Sequence, residues 1–187
     1  AFMVRQHTTT NLTPEQIHET GLKEVARIRS EMEAVAKKAG FSSREAMIQD
    51  MRTNPKWFAK TPEELLEKTA WQAKVIDGKM PSLIGRLARL PYGIRPMNLA
   101  TAPGDTTARY QPGSVETGVA GFYLVNTTKL DQRPFWEIPA LTVHEAVPGH
   151  HQQIALQQEL ATLAWRKNLA FFTAFVEGWG LYSERLG

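Results

Sequence analysis

The chain has 187 residues, 42% of them apolar, enough for one substantial core and too apolar for a disordered segment. Its net charge of +3 is spread over both signs without a long like-charged run, which points to neither nucleic acid nor an anionic membrane as partner. The absence of cysteine excludes disulfides and thiolate ligands, and no apolar window is long enough to span a membrane.

Asn11-Leu12-Thr13-Pro14-Glu15-Gln16 predicts a helix start, with Thr13 as N-cap, Pro14 in the first turn and Gln16 completing a capping box. Ile17, Leu22, Val25, Ile28, Met32 and Val35 continue it as an apolar stripe; Gly40 ends it, and Gly21 invites an early kink or break. Ser42-Ser43-Arg44-Glu45 opens a second helix to about Arg52, stopped by Asn54-Pro55. Thr61-Pro62-Glu63-Glu64 opens a third toward Ile76, and Pro81 to Leu90 reads as a short helix or a turn.

From Pro91 the helical period is lost among prolines and glycines. Thr106 to Tyr110 and Val119 to Asn126 are the strand candidates, with Gln111-Pro112-Gly113 as a turn signal, and together they predict a small antiparallel sheet. A helix is expected from Pro139 or Ala140 to Val147, another from His150 to Trp165, and a last one from Asn168 to Leu186. The fold class is therefore mainly α (α+β): residues 1–90 helical, 91–138 strand and loop, 139–187 the site helices. A start at Ala1 and strong patterning up to Gly187 lead us to expect a single fragment of a larger catalytic domain.

The chemistry concentrates in His144-Glu145-Ala146-Val147-Pro148-Gly149-His150-His151. A His-Glu pair followed by further histidines is the pattern of a zinc hydrolase helix, but the position four residues after His144 is Pro148. On an unbroken helix His150 would sit roughly 9 Å along the axis from His144, and His151 roughly 10.5 Å. Neither pair could then share an ion whose ligand nitrogens lie at ~2.0–2.1 Å. Pro148 lacks the amide that would bond the His144 carbonyl, and Gly149 accepts almost any backbone angle, so a distortion is predicted that swings a histidine back to His144. His150 needs the smaller bulge; His151 is the alternative.

Glu177 lies in an apolar run, Phe171 to Trp179, where a lone carboxylate calls for a partner; Gly178 and Gly180 would let another backbone come close. Two histidines with Glu177 make three protein ligands for one zinc ion and leave a position for water, with Glu145 free to act as general base. Glu184, two turns beyond Glu177, is a candidate supporting acid. Tyr123, Tyr110, Arg109 and Arg133 are candidates for substrate or oxyanion contact, the five tryptophans read as core, and His7 and His18 as exposed.

The stretch His144 to Gln153, with Glu177-Gly178-Trp179-Gly180-Leu181-Tyr182-Ser183-Glu184, resembles the bacterial DUF885 family and, more distantly, zinc metallopeptidases with two histidines and a later glutamate (the gluzincin type). The likeness extends through Asn11 to Glu15, Gly118 to Asn126 and Arg133. It implies a peptide or peptide-like substrate, Val119 to Asn126 as an edge strand where that peptide pairs, an oxyanion-stabilising side chain that need not lie before Gly187, and a bacterial, exported or periplasmic lipoprotein setting. Together these readings predict a zinc-dependent hydrolase, most simply a peptidase. The alternatives are a non-catalytic domain with a buried His/Glu network or metal-dependent binding site, and a metal-dependent hydrolase of a non-peptide amide or ester.

Overall fold

The computed structural model describes residues 2–160 and 172–187 and divides into two compact units, Ala1–Trp57 and Phe58–Gly187. In the first unit a short α1 (Phe2–Thr8) precedes α2 (Pro14–Lys38), which carries the expected capping box between Thr13 and Gln16. Gly21 does not break α2, and Gly40 takes a left-handed φ of 85° just past its end. Ser43 caps α3 (Arg44–Thr53) through its side chain, and α3 packs near the end of α2, where Ala36 and Met47 are buried. Most of the apolar stripe, including Leu22, Val25, Ile28 and Val35, stays exposed.

The second unit carries the site. Thr61 caps α4 (Pro62–Leu83) by accepting from the Glu64 amide. The helix runs past Ile76 to Leu83 with Pro81 inside its last turn, and the helix ends two residues later. The proline- and glycine-rich 91–126 region forms one sheet in the order β1-β3-β2, from β1 (Tyr92–Pro96), β2 (Ala108–Gln111) and β3 (Gly121–Val125). β2 and β3 are antiparallel as expected; β1 adds parallel to β3, so the sheet is mixed. A five-residue edge strand containing glycine and proline shows no alternating pattern, which is why β1 was not legible. β3 is the central strand, so the implied edge at Val119 to Asn126 is corrected to β1 and β2.

Tyr123 and Val125 face a core with Leu65, Ile138 and Ala146, while Leu124 on the opposite face packs with Met97 and Ala102. α5 (Ile138–Glu145) packs on α4 and β2, α6 (His150–Glu159) on β3, and α7 (Thr173–Leu186) on α5 and α6. α6 ends at Glu159, with Leu160 extended, short of the expected Trp165; residues 161–171, which hold the expected end of that helix, the expected start of the last one and Trp165, lie outside the described residues. Among the described tryptophans the core expectation fails: Trp71 is 73% exposed and Trp136 is also exposed. Leu65, Thr69 and Ala73 define the buried face of α4, and Trp71 falls on the opposite side. No helix among the described residues is long and apolar enough to cross a membrane.

Candidate metal centre

The chain breaks where Pro148-Gly149 requires it. α5 ends at Glu145, residues 146–149 form a turn with a cis Val147–Pro148 bond, and α6 starts at His150. This is a full break rather than a bulge. A Cβ on Gly149 would collide with the Val143 and His144 carbonyl oxygens, so only glycine fits there. The turn is tied from α7: the Trp179 indole N–H donates to the Pro148 carbonyl at 2.7 Å. Trp179, expected in the core, thus acts as a hydrogen-bond donor; the signal for this in the sequence is its indole N–H two residues from Glu177.

The break brings His144 and His150 together, with ring centroids 4.6 Å apart in an edge-to-face arrangement. Glu177 on α7 reaches both, its Oε2 lying 3.5 Å from His144 Nε2 and 3.6 Å from His150 Nε2. Ligand atoms of all three residues lie within 4.8 Å of one another. Tetrahedral zinc with bonds of ~2.0–2.1 Å holds its ligands roughly 3.3–3.4 Å apart. Both histidine–glutamate separations, 3.5 and 3.6 Å, are already close to that value, and no pair in the group exceeds 4.8 Å. The donor set thus fits a zinc ion by residue type and spacing.

Gly180 lets α7 come this near. A Cβ there would stand 2.7 Å from His144 Cε1 and 2.8 Å from its Nε2, whereas Gly178 has nothing within 4 Å among the described residues. Among the described residues neither glycine admits a backbone as expected; Gly180 makes room for the His144 ring instead. Glu184 bonds His144 Nδ1 at 2.8 Å through its Oε1. With a carboxylate accepting there, Nδ1 carries the proton and Nε2 is left as the donor atom facing Glu177. His150 is buried, and its Nδ1 has no hydrogen-bond partner among the described residues. Burial foremost, and then the neighbouring His144, lower the His150 pKa, favouring the neutral ring a metal requires.

Glu177 departs from expectation: its side chain is 53% exposed, and its helix also exposes Phe175, Leu181 and Tyr182. Apolar composition did not bury this carboxylate among the described residues; proximity to two histidines is what marks it. Glu145 shows the reverse. It is buried at the end of α5, and desolvation raises its pKa against the opposing pull of His144 and the Tyr110 backbone.

His151 points away from the cluster. Its Nε2 lies 2.9 Å from the Leu90 carbonyl and its Nδ1 2.9 Å from the Tyr110 hydroxyl. Tyr123 is 1% exposed in the core, so its phenol is out of reach of a substrate. Arg133 bonds Thr107 at 2.8 Å and Arg109 pairs with Asp105 at 3.1 Å, which ties both to loop residues outside the cluster. His7 and His18 are exposed, as expected. A groove of about 340 Å³ between α4, α5 and the end of α7 has a mostly apolar lining and shares only Glu184 with these residues.

The family profile described as bacterial protein of unknown function (DUF885) matches residues 1–187. The crystal structure of the putative lipoprotein from Colwellia psychrerythraea is similar over 98% of this chain, with a TM-score of 0.91 and 29% identity. The match covers 32% of that protein, so the present chain spans about a third of its length. No curated protein shows a significant match.

Proposed function

The chain belongs to the bacterial DUF885 family, and from that membership and the geometry of the cluster we propose that it forms the metal-binding part of a zinc-dependent peptidase with Glu145 as general base. The observation that carries the reading is the convergence of His144, His150 and Glu177 within 4.8 Å across a helix break. Two imidazoles and one carboxylate, with a fourth position open, are the ligand set of a catalytic rather than a structural zinc. When bound, the ion supplies Lewis acidity toward a carbonyl and toward water.

The chain's own residues do the rest. Glu184 holds the Nδ1 proton of His144 and thereby aims Nε2. Glu145, adjacent to His144 but outside the ligand set, is buried with its pKa raised, and so accepts a proton more readily than an exposed glutamate. The substrate's backbone has an edge to pair with. The Asn126 amide bonds the Thr107 carbonyl at 3.0 Å, directly beyond the Ala108–Val125 pair. That phase turns the N–H and C=O of Tyr110 away from β3 to the outer edge of β2, where the N–H meets the Glu145 carboxylate and the C=O is presented to a peptide. We place an extended peptide there, in place of the β3 edge. An exported lipoprotein setting belongs to the proposal as well, supported by the description of the Colwellia relative.

Zinc titration of the purified protein and a peptide-library digest test the reading. One zinc per chain is expected, lost in His144→Ala, whereas Glu145→Gln keeps the metal and loses cleavage. Ester or non-peptide amide cleavage without peptide cleavage would reassign the substrate; failure to bind zinc would leave a His/Glu network and end the proposal.

A further inference from the structure

We propose that His151 is a positioning residue and not a ligand: with Tyr110 it clamps the free edge of β2 to α6, fixing where an extended peptide lies beside Glu145. The inference rests on the peptidase reading and assigns a role to the second histidine of the pair.

The hydrogen bonds define the clamp. The Leu90 carbonyl can only accept, so the His151 Nε2 facing it at 2.9 Å carries the ring proton. Nδ1 is then the acceptor, and the Tyr110 hydroxyl donates to it at 2.9 Å. One ring thus joins the segment entering β1 to a residue within β2. The ring of Tyr92, the first residue of β1, packs against the same imidazole at 4.9 Å.

Two further features serve the same end. Gln152, the next residue of α6, takes the Ala88 amide and donates to the Arg86 carbonyl, so α6 holds the approach to β1 at several points. On β3, a Cβ at Gly121 would overlap the Tyr110 hydroxyl, so glycine is what leaves room for the phenol to reach His151. Tyr110 therefore has separate uses for its two parts. Its side chain is anchored to α6, and this sets the direction of the backbone groups that face away from β3.

The test compares zinc-loaded wild type with Tyr110→Phe, His151→Gln, His151→Asn and Gly121→Ala. Gln keeps a donor near Nε2 and lacks the Nδ1 acceptor, while Asn keeps an acceptor near Nδ1. Hydrogen exchange is read over residues 106–113, and kcat and KM are measured for a peptide taken from the library digest and for a truncated form of it. Tyr110→Phe, His151→Gln and Gly121→Ala are expected to keep one zinc, speed exchange in this segment about tenfold, and raise KM for the long peptide with kcat little changed. The truncated peptide is spared, and His151→Asn restores most of the loss.

Zinc loss in His151→Gln would make His151 a ligand and overturn the proposal. Unchanged exchange in Tyr110→Phe and His151→Gln would overturn it too. Failure of the peptidase reading shows separately, as wild type without zinc or cleavage; the exchange comparison still decides whether the clamp exists.

Discussion

Replacing Gly180 with alanine places a methyl group against the atom proposed to hold zinc. The added Cβ would lie 2.8 Å from His144 Nε2 and 2.7 Å from Cε1. Ordinary carbon contacts begin near ~3.5 Å, so ring and helix must separate by roughly 0.7 Å. Metal sites tolerate ligand displacements of about 0.2 Å. Either His144 turns out of place, or α7 retreats and carries Glu177 and Glu184 with it. Zinc affinity should fall by at least about tenfold, or ~1.4 kcal/mol. Helix propensity alone predicts the opposite direction, since alanine is favoured over glycine within a helix by about 1 kcal/mol. Gly178→Ala is the control, because among the described residues nothing lies within 4 Å of its added methyl. That variant should keep wild-type zinc affinity and gain roughly 0.5–1 kcal/mol in stability. Competition against a chromophoric chelator reads affinity, and thermal unfolding in excess chelator reads stability. Equal zinc affinity in the two alanine variants would refute the close approach of α7 to His144 as a determinant of the site.

Glu184→Gln removes the charged acceptor on His144 Nδ1 and should weaken zinc binding by about 10–100-fold while preserving the fold, checked by titration and circular dichroism. Gly149→Ala forces a methyl into the His144 carbonyl at the helix break; it should destabilise the protein by at least ~1–3 kcal/mol, measured by denaturant unfolding. Glu145 gives a pH prediction for the zinc-free protein. Its folded pKa is raised by burial, so its contribution to stability is fully present below the ordinary value of 4.5 and is lost as pH rises through the folded value. Glu145→Gln should flatten that loss and be more stable than wild type at neutral pH, read from Tm between pH 4 and 8 with chelator present. The lowered His150 pKa acts with the opposite sign.

The helices that begin at Thr13, Ser43 and Thr61 were legible because each start is written locally, as a side chain that satisfies exposed amides. Strand β1 was not, since its place in the sheet comes from a partner about thirty positions away and its own glycine and proline read as turn residues. At the site, Pro148-Gly149 announced the break, and its consequence for His144 and His150 followed from helix geometry. The direction of His151 could not be read in the same way, because the backbone it meets, at Leu90, is distant in sequence. Glu177 was found for a reason the structure does not share. The apolar run suggested burial, whereas the carboxylate is half-exposed and is marked by the two histidines it meets.

Anomalous diffraction at the zinc edge from crystals of the zinc-loaded protein tests the central claim most directly. One strong peak is expected within ~2.0–2.2 Å of a nitrogen of His144, a nitrogen of His150 and an oxygen of Glu177, with His151 still bonded to Leu90 and Tyr110. A stoichiometric zinc solution that yields no peak at this cluster, or a peak ligated by His151, would contradict it.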